Sequence, residues 1–412
     1  MKRLTDLFTP GLRVFVPTMA GESALLLEEL AAEPGRARGV TFCGVMFPGV
    51  DRIDYLALHP EARVETHFMS PAVRRGMAQG RADLLALDYR GIARHLRESA
   101  PPDLAIAQLT PPDTEGWCSA GLSADFMPLV WKRAGRRLAH LNPRLPRTAG
   151  SFRVHLSELD GAVHADRPAL TWPEPVCGEI EARIGAHVAT LVRDGDTLQF
   201  GLGSVPVVLA GALASHRRLR IHGGMVSGAL RQLWEAGALD RDARITTGVV
   251  LGDEALHDFV ARLPALWLTD VRHTHDAVAI GAIQRFVAVN SAVEVDLFGQ
   301  VNAERAGGVL QAGAGGLPAF AEGAFASPGG RLLICLAATA RQGSVSRIVP
   351  ALAAQSLCTV PRHLADAVVT EHGVAELRGL SVPARAQALI GIAAPEHRAA
   401  LAGAWDDLAR TL

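Results

Sequence analysis

The chain has 412 residues, of which 49% are hydrophobic and 20% charged, with a formal net charge of −1. At about 150 residues per domain this length suggests two or three domains with ample material for buried cores, and the near-neutral balance gives no electrostatic footprint for nucleic acid. No apolar run reaches the ~18–20 residues that a membrane span needs. Val14-Phe15-Val16 reads as a first strand, followed by a glycine turn and a helix from Ala24 to Ala32. Val40 to Val45 and Leu104 to Leu109 read as further buried strands, the latter running into the turn cluster Thr110-Pro111-Pro112-Asp113. This alternation points to parallel βαβ units with right-handed crossovers.

Three prolines between Asp166 and Pro175 separate this series from a second one. The expected division is therefore an N-terminal α/β lobe over 1–175 and a C-terminal α/β lobe over 176–412. In the second lobe Glu179 to Val192 carries Ile180, Ile184, Val188 and Leu191 on one helical stripe. Thr197-Leu198-Gln199-Phe200 reads as a strand, Gly201 to Pro206 as a turn and Val207 to Ala214 as a helix. Later strands are expected at Leu219–Ile221, Val249–Leu251, Phe286–Val289 and Leu332–Leu336. The N-terminus, Met1 to Asp6, shows no apolar segment of a signal peptide. The five cysteines are odd in number and form no Cys-x-x-Cys pair, which fits a reduced, cytoplasmic setting.

Phe200-Gly201-Leu202-Gly203-Ser204-Val205-Pro206 is the sharpest local signal. A strand ends, two glycines permit a tight path, and a helix begins with Pro206 expected at its first position. Glycine lets another molecule approach the main chain closely, and a helix start offers N–H groups to an oxyanion or phosphate. Taken alone, the junction is weak evidence, and a tight packing turn is the plainer reading. Gly313-Ala314-Gly315-Gly316 is a second dense turn, between Gly307-Gly308 and Gly329-Gly330, for which a mobile loop is the plain alternative.

Together these segments resemble the acetyl-CoA hydrolase/transferase family, which includes 4-hydroxybutyrate and acetate CoA-transferases. Leu198 to Pro206 resembles the family's Leu-Gln-x-Gly-Ile-Gly-x-Ile-Pro, and Val289 to Gln300 its Ile-Asn-Ser-Ala-Ile-Glu-Val-Asp-Leu-x-Gly-Gln. Ser344 to Pro350, Val369 to Ala375 and, in the first lobe, Asn142 to Thr148 match further motifs in order. The resemblance implies two tandem lobes with mainly parallel sheets flanked by helices, and coenzyme A held between them without a metal. It places CoA contacts at Gly201, Leu202, Gly203, Ser204, Val205, Asn290, Gly313, Gly315 and Gly316. Backbone N–H groups at Val205 and the Gly313–Gly316 turn would then stabilise the thioester oxyanion.

The family reaction runs through a glutamate that attacks the thioester and then carries CoA. That glutamate lies in an Ile-His-Ser/Thr-Glu-Met motif, and the corresponding run here is Ile221-His222-Gly223-Gly224-Met225. Flanking Ile221, His222 and Met225 fix the register, so Gly224 stands at the nucleophile position. Leu317 and Ala319 replace a Gln and an Asp of the family pattern, Pro328 and Arg331 replace lysines, and His372 replaces a tyrosine. Glu294, Glu371 beside His372, and His222 are the remaining candidates for acid–base work. A supporting role for Glu294, an interface pair for Glu371 and a structural hydrogen bond for His222 are the plainer readings. His273-Thr274-His275-Asp276 has metal-type residues but matches no metal site of the family, and the resemblance places Cys118 in a loop that faces the cleft, without an evident partner base.

Three functions follow from this pattern. The first is an enzyme acting on an acyl thioester, by hydrolysis or acyl-chain chemistry, without the glutamyl-CoA intermediate. The second is a non-catalytic CoA-binding or partner subunit, and the third is CoA transfer with a carboxylate from elsewhere. The expected partners are an acyl-CoA or an acyl-carrier-protein thioester, with assembly as a homodimer or hetero-oligomer and no nucleic acid or membrane.

Overall fold

The computed structural model describes residues 2–150 and 152–412. The chain forms two compact units, Met1–Pro173 with Arg244–Thr274, and Glu174–Ala243 with His275–Leu412. The first unit is built on strands β1 (Arg13–Phe15), β2 (Thr41–Cys43), β3 (Arg63–Thr66), β4 (Ala82–Leu84), β5 (Leu104–Leu109), β6 (Arg136–Leu141) and β7 (Gly161–His164). Their order is β4-β3-β2-β1-β5-β6-β7, and every neighbouring pair is parallel. Strand β5 is buried along its whole length, which is why it reads as an unbroken run and not as an alternation. Helix α1 (Ala24–Ala32) starts where Ser23 accepts the Leu26 N–H at 3.2 Å, and it buries Leu25, Leu26 and Leu30.

The change of unit at Pro173/Glu174 lies beside the division expected after residue 175, but Arg244–Thr274 packs with the first unit and not the second. Its strands Ile245–Thr247 and Leu266–Leu268 pair in parallel. The segment is then held by Ala124 N–H to Gly248 O at 3.0 Å, Val250 N–H to Leu122 O at 2.8 Å and Val271 N–H to Asp125 O at 3.2 Å. These bonds span more than a hundred residues of sequence and leave no local signature. The strand expected at Val249–Leu251 is present as Val249–Val250 and lies in this segment.

The second unit contains β8 (Thr197–Phe200), β9 (Arg220–Ile221), β10 (Phe286–Ser291), β11 (Arg331–Cys335), β12 (Ala367–Thr370) and β13 (Gly373–Glu376). The order is β9-β8-β10-β11-β12-β13, parallel except for the last pair. Helix α2 (Glu179–Ala189) buries Ile184 and Val188, but Ile180 from the expected stripe is 43% exposed. Helix α3 (Ser204–Ala212) begins three residues earlier than expected, so Pro206 is its third residue and not its first. The absent proline N–H still costs nothing there, because the first turn has no intrahelical acceptors to meet. Helix α4 (Leu317–Ala326) has Pro318 in its first turn.

The core of this unit gathers Phe286, Ala288, Leu332, Ile334 and Val368 from the sheet with Leu317, Phe320 and Ala321 from α4. Among the described residues no helix is long and apolar enough to cross a membrane. Phe286 is fully buried, with its ring centroid 6.4 Å from that of Phe320. Phe286→Ala is expected to destabilise the protein by about 3–5 kcal/mol, read as a lower urea midpoint.

Candidate functional site

In an open parallel sheet, ligands bind beyond the C-terminal ends of the strands where the strand order reverses. In the second unit this point lies between β8 and β10, because β9 follows β8 to one side and β10 lies on the other. The chain leaves β8 through Gly201, Leu202 and Gly203 into the N-terminus of α3. Gly203 has φ +115°, a conformation that excludes an ordinary side chain, so the glycine is a backbone requirement. The chain leaves β9 through His222, Gly223 and Gly224. At the end of β10, the Asn290 side-chain amide donates to Gln199 Oε1 at 2.8 Å, and Gln199 returns a 3.4 Å bond to Asn290 Oδ1. A methyl group at Gly223 would stand 3.3 Å from Gln199 Cγ. The Gln199–Asn290 pair thus closes one wall against the turn that carries Gly224.

The far side of Gly224 is filled by His275. A methyl group at Gly224 would stand 2.5 Å from Cε1 and 2.8 Å from Nε2 of that ring. A methyl group at Gly316 would stand 2.7 Å from Cδ2 and closer still to Nε2. The Nε2 edge of the imidazole therefore lies between two glycines, Gly224 after β9 and Gly316 of the Gly313–Gly316 turn. Neither glycine has a left-handed backbone; Gly316 has φ −85°. Space, not conformation, is what excludes a side chain at both positions. The ring packs on Phe320 at 4.6 Å and is only 2% exposed. Burial, with a smaller contribution from nearby His222, pushes its pKa down to about 3, so it is neutral at physiological pH.

The remaining candidates have structural partners. Glu294 accepts bonds from Asn302 Nδ2 at 2.9 Å and the Ser356 hydroxyl at 2.7 Å. Asp296, in the same motif, is fully buried and accepts the Phe298 and Gln300 N–H groups and the Gln300 side-chain amide. Glu371 is 5% exposed, accepts the Ala338 N–H at 2.8 Å and lies 3.7 Å from His372 Nε2. The ring of His222 meets Phe286 edge-on at 6.0 Å. Leu317 and Ala319, expected at two polar positions of the family pattern, are buried in the core.

His273 and His275 separate: the ring of His273 lies 5.1 Å from Trp267 in the first unit, and that of His275 lies on Phe320 in the second. Among the described residues no group of three or more His, Cys, Asp or Glu side chains is placed to hold a metal. Cys118, expected on a cleft-facing loop, instead sits in a strand paired with Arg153–His155 and is fully buried, with its pKa raised by burial. An exposed carboxylate that drew no notice in the sequence, Glu174, lies with its carboxyl carbon 2.9 Å from where a side chain at Gly228 would begin.

The first unit has its own switch point between β1 and β5. A cavity of about 30 Å³ lies there, lined by Thr18, Gly21, Gln108, Ser123 and Asp125 among others. Burial, reinforced by Asp270 and Asp51, pushes the Asp125 carboxyl up to about 8.

Residues 252–404 match the family model of the acetyl-CoA hydrolase/transferase C-terminal domain. The 4-hydroxybutyrate coenzyme A transferase of Clostridium kluyveri is 32% identical over 396 residues, which cover 94% of this chain and 92% of that protein. The chain belongs to the acetyl-CoA hydrolase/transferase family. The succinyl-CoA:cyclohexane-1-carboxylate CoA transferase of Geobacter metallireducens is also 32% identical, over 93% of this chain and 89% of its own length. The crystal structure of RipA from Yersinia pestis superposes with a TM-score of 0.90 at 26% identity, covering 98% of this chain and 96% of that one. Mixed α/β architecture with mainly parallel sheets is thus common to this family member and its solved relatives.

Two measurements probe this geometry. Asn290→Ala leaves the buried amide of Gln199 without its partner and is expected to cost about 1–3 kcal/mol in denaturant unfolding. Asp125 binds its proton more tightly folded than unfolded, where its pKa is about 3.9. Its contribution to stability is therefore complete below about pH 4 and is lost as the pH rises through about 8. Asp125→Asn is expected to flatten that part of the melting-temperature profile.

Proposed function

We propose that this chain is a CoA-binding enzyme of its family that acts on an acyl thioester, by hydrolysis or acyl-chain chemistry, without a glutamyl-CoA intermediate. The observation that carries the reading is Gly224. In the register set by Ile221, His222 and Met225 it stands where the family has its attacking glutamate, and the space beside it holds the neutral ring of His275. The named relatives are CoA transferases, so a CoA thioester is the substrate class we carry over. Gly201, Leu202, Gly203, Ser204, Val205, Asn290, Gly313, Gly315 and Gly316 are its proposed contacts.

The mechanism we assign to the chain is electrostatic. N–H groups at Val205 and the Gly313–Gly316 turn polarise the thioester carbonyl, and preorganised donors of this kind are worth about 10²–10³ in rate each. Glu294 and Glu371 hold loops through the bonds described above, which supports a positioning role for both. All five cysteines are free thiols, in keeping with a reducing cytoplasm. Glu174 supports a second reading, CoA transfer by a carboxylate from elsewhere in the chain, because it reaches the helix that begins four residues after Gly224.

Incubation with an acyl-CoA, with and without a carboxylate acceptor, followed by borohydride trapping and peptide mapping, separates these readings. The expected result is thioester turnover without acceptor and without a trapped glutamyl adduct. An adduct mapped to Glu174 would replace the first reading by the second. Tight binding with no turnover in either arm would leave a CoA-binding subunit.

A further inference from the structure

We propose that His275 is the residue that decides which nucleophile this site admits: its imidazole occupies the volume of a residue-224 side chain and so excludes a carboxylate there. The inference rests on reading Gly224 as the family's glutamate position, but its steric part stands on geometry alone.

The ring is held at depth by the packing behind it. His275 enters the short helix Ala277–Gly281, which Asp276 caps by accepting the Val278 N–H at 3.0 Å. That helix presses on α4 where Gly323 leaves room: a methyl group there would stand 2.5 Å from Ile280 Cγ2. A methyl at Gly281 would likewise stand 2.9 Å from the Ala326 Cβ. Close approach through these two glycines carries the chain just ahead of the helix toward α4, and Phe320 of that helix supports the ring face. The Nε2 edge then has Gly224 on one side and Gly316 on the other.

Two glycines, Gly224 and Gly316, thus make room for the ring, and two more, Gly281 and Gly323, let the following helix pack closely on α4. Any side chain at 224 meets the ring with its first carbon, so a glutamate at 224 and an imidazole at 275 cannot both keep their places. Positions 224 and 275 are thus sterically coupled although they lie 51 residues apart in the sequence. The ring is buried and neutral, so it brings no competing charge to a thioester held at the Gly313–Gly316 turn.

The test is a double-mutant cycle on the full chain. Gly224→Ala is expected to lower the melting temperature by about 3 °C or more, His275→Ala to lower it through a cavity, and the double variant to recover most of the Gly224→Ala loss. Equal melting of Gly224→Ala and wild type, or strict additivity in the cycle, would overturn the steric wedge. Gly224→Glu and Gly224→Glu/His275→Ala are then incubated with acetyl-CoA and trapped with borohydride. An adduct at position 224 in the double variant only is the expected result. An adduct in Gly224→Glu alone at the same yield would overturn the proposal while upholding the reading of position 224. Strong coupling in the melting cycle with no adduct in either variant would uphold the wedge but overturn the claim that His275 decides which nucleophile the site admits.

Discussion

Parallel pairing of Thr197–Phe200 with Phe286–Ser291 places Gln199 opposite Ala288 and Phe200 opposite Val289. Arg220–Ile221 joins the other side of the first of these strands, so the sheet order reverses there. Three chain segments therefore leave the sheet around one gap. They bring the Gly201–Gly203 turn, the His222–Gly224 turn and Asn290 to the same edge. Buried bulk holds the pairing in place: Phe286, Leu332 and Ile334 are almost wholly withdrawn from water on neighbouring strands. At roughly 25 cal/mol per Å² of apolar surface, such withdrawal dominates the forces that keep the strands in register.

Glycine does two different jobs around this gap. Gly203 and Gly315, with φ +115° and +60°, supply backbone conformations that other residues rarely adopt. Gly224, Gly316 and Gly323 supply room. The room of the second kind is taken by an imidazole and an isoleucine that would otherwise have no place. A buried neutral ring differs from an ionised carboxylate, which would need partners to remain charged there.

Several residues of the segments that carry the family resemblance are tied into the scaffold by hydrogen bonds. Asp296 and Gln300 fasten a turn, Glu294 ties Asn302 to Ser356, and Glu371 secures the backbone at Ala338. In the first unit Asn142 bonds Gln108 at 2.7 Å and Thr148 bonds the carbonyl of Gly121 at 2.7 Å. Buried polar groups of this kind must be paired, which gives each of them a role in holding the scaffold.

The sequence alone determined the parallel α/β character, the strands at 104–109 and 197–200 and the two glycine turns, because these depend on local hydrophobic runs and turn chemistry. Its motif register also singled out Gly224. Only the tertiary structure decided that Arg244–Thr274 returns to the first unit, that Cys118 is core and that His275 fills the place beside Gly224. Each of these rests on contacts between residues tens to more than a hundred positions apart. A glycine in a sequence gives notice that a side chain is absent; which neighbour uses the space is settled only when the chain is packed.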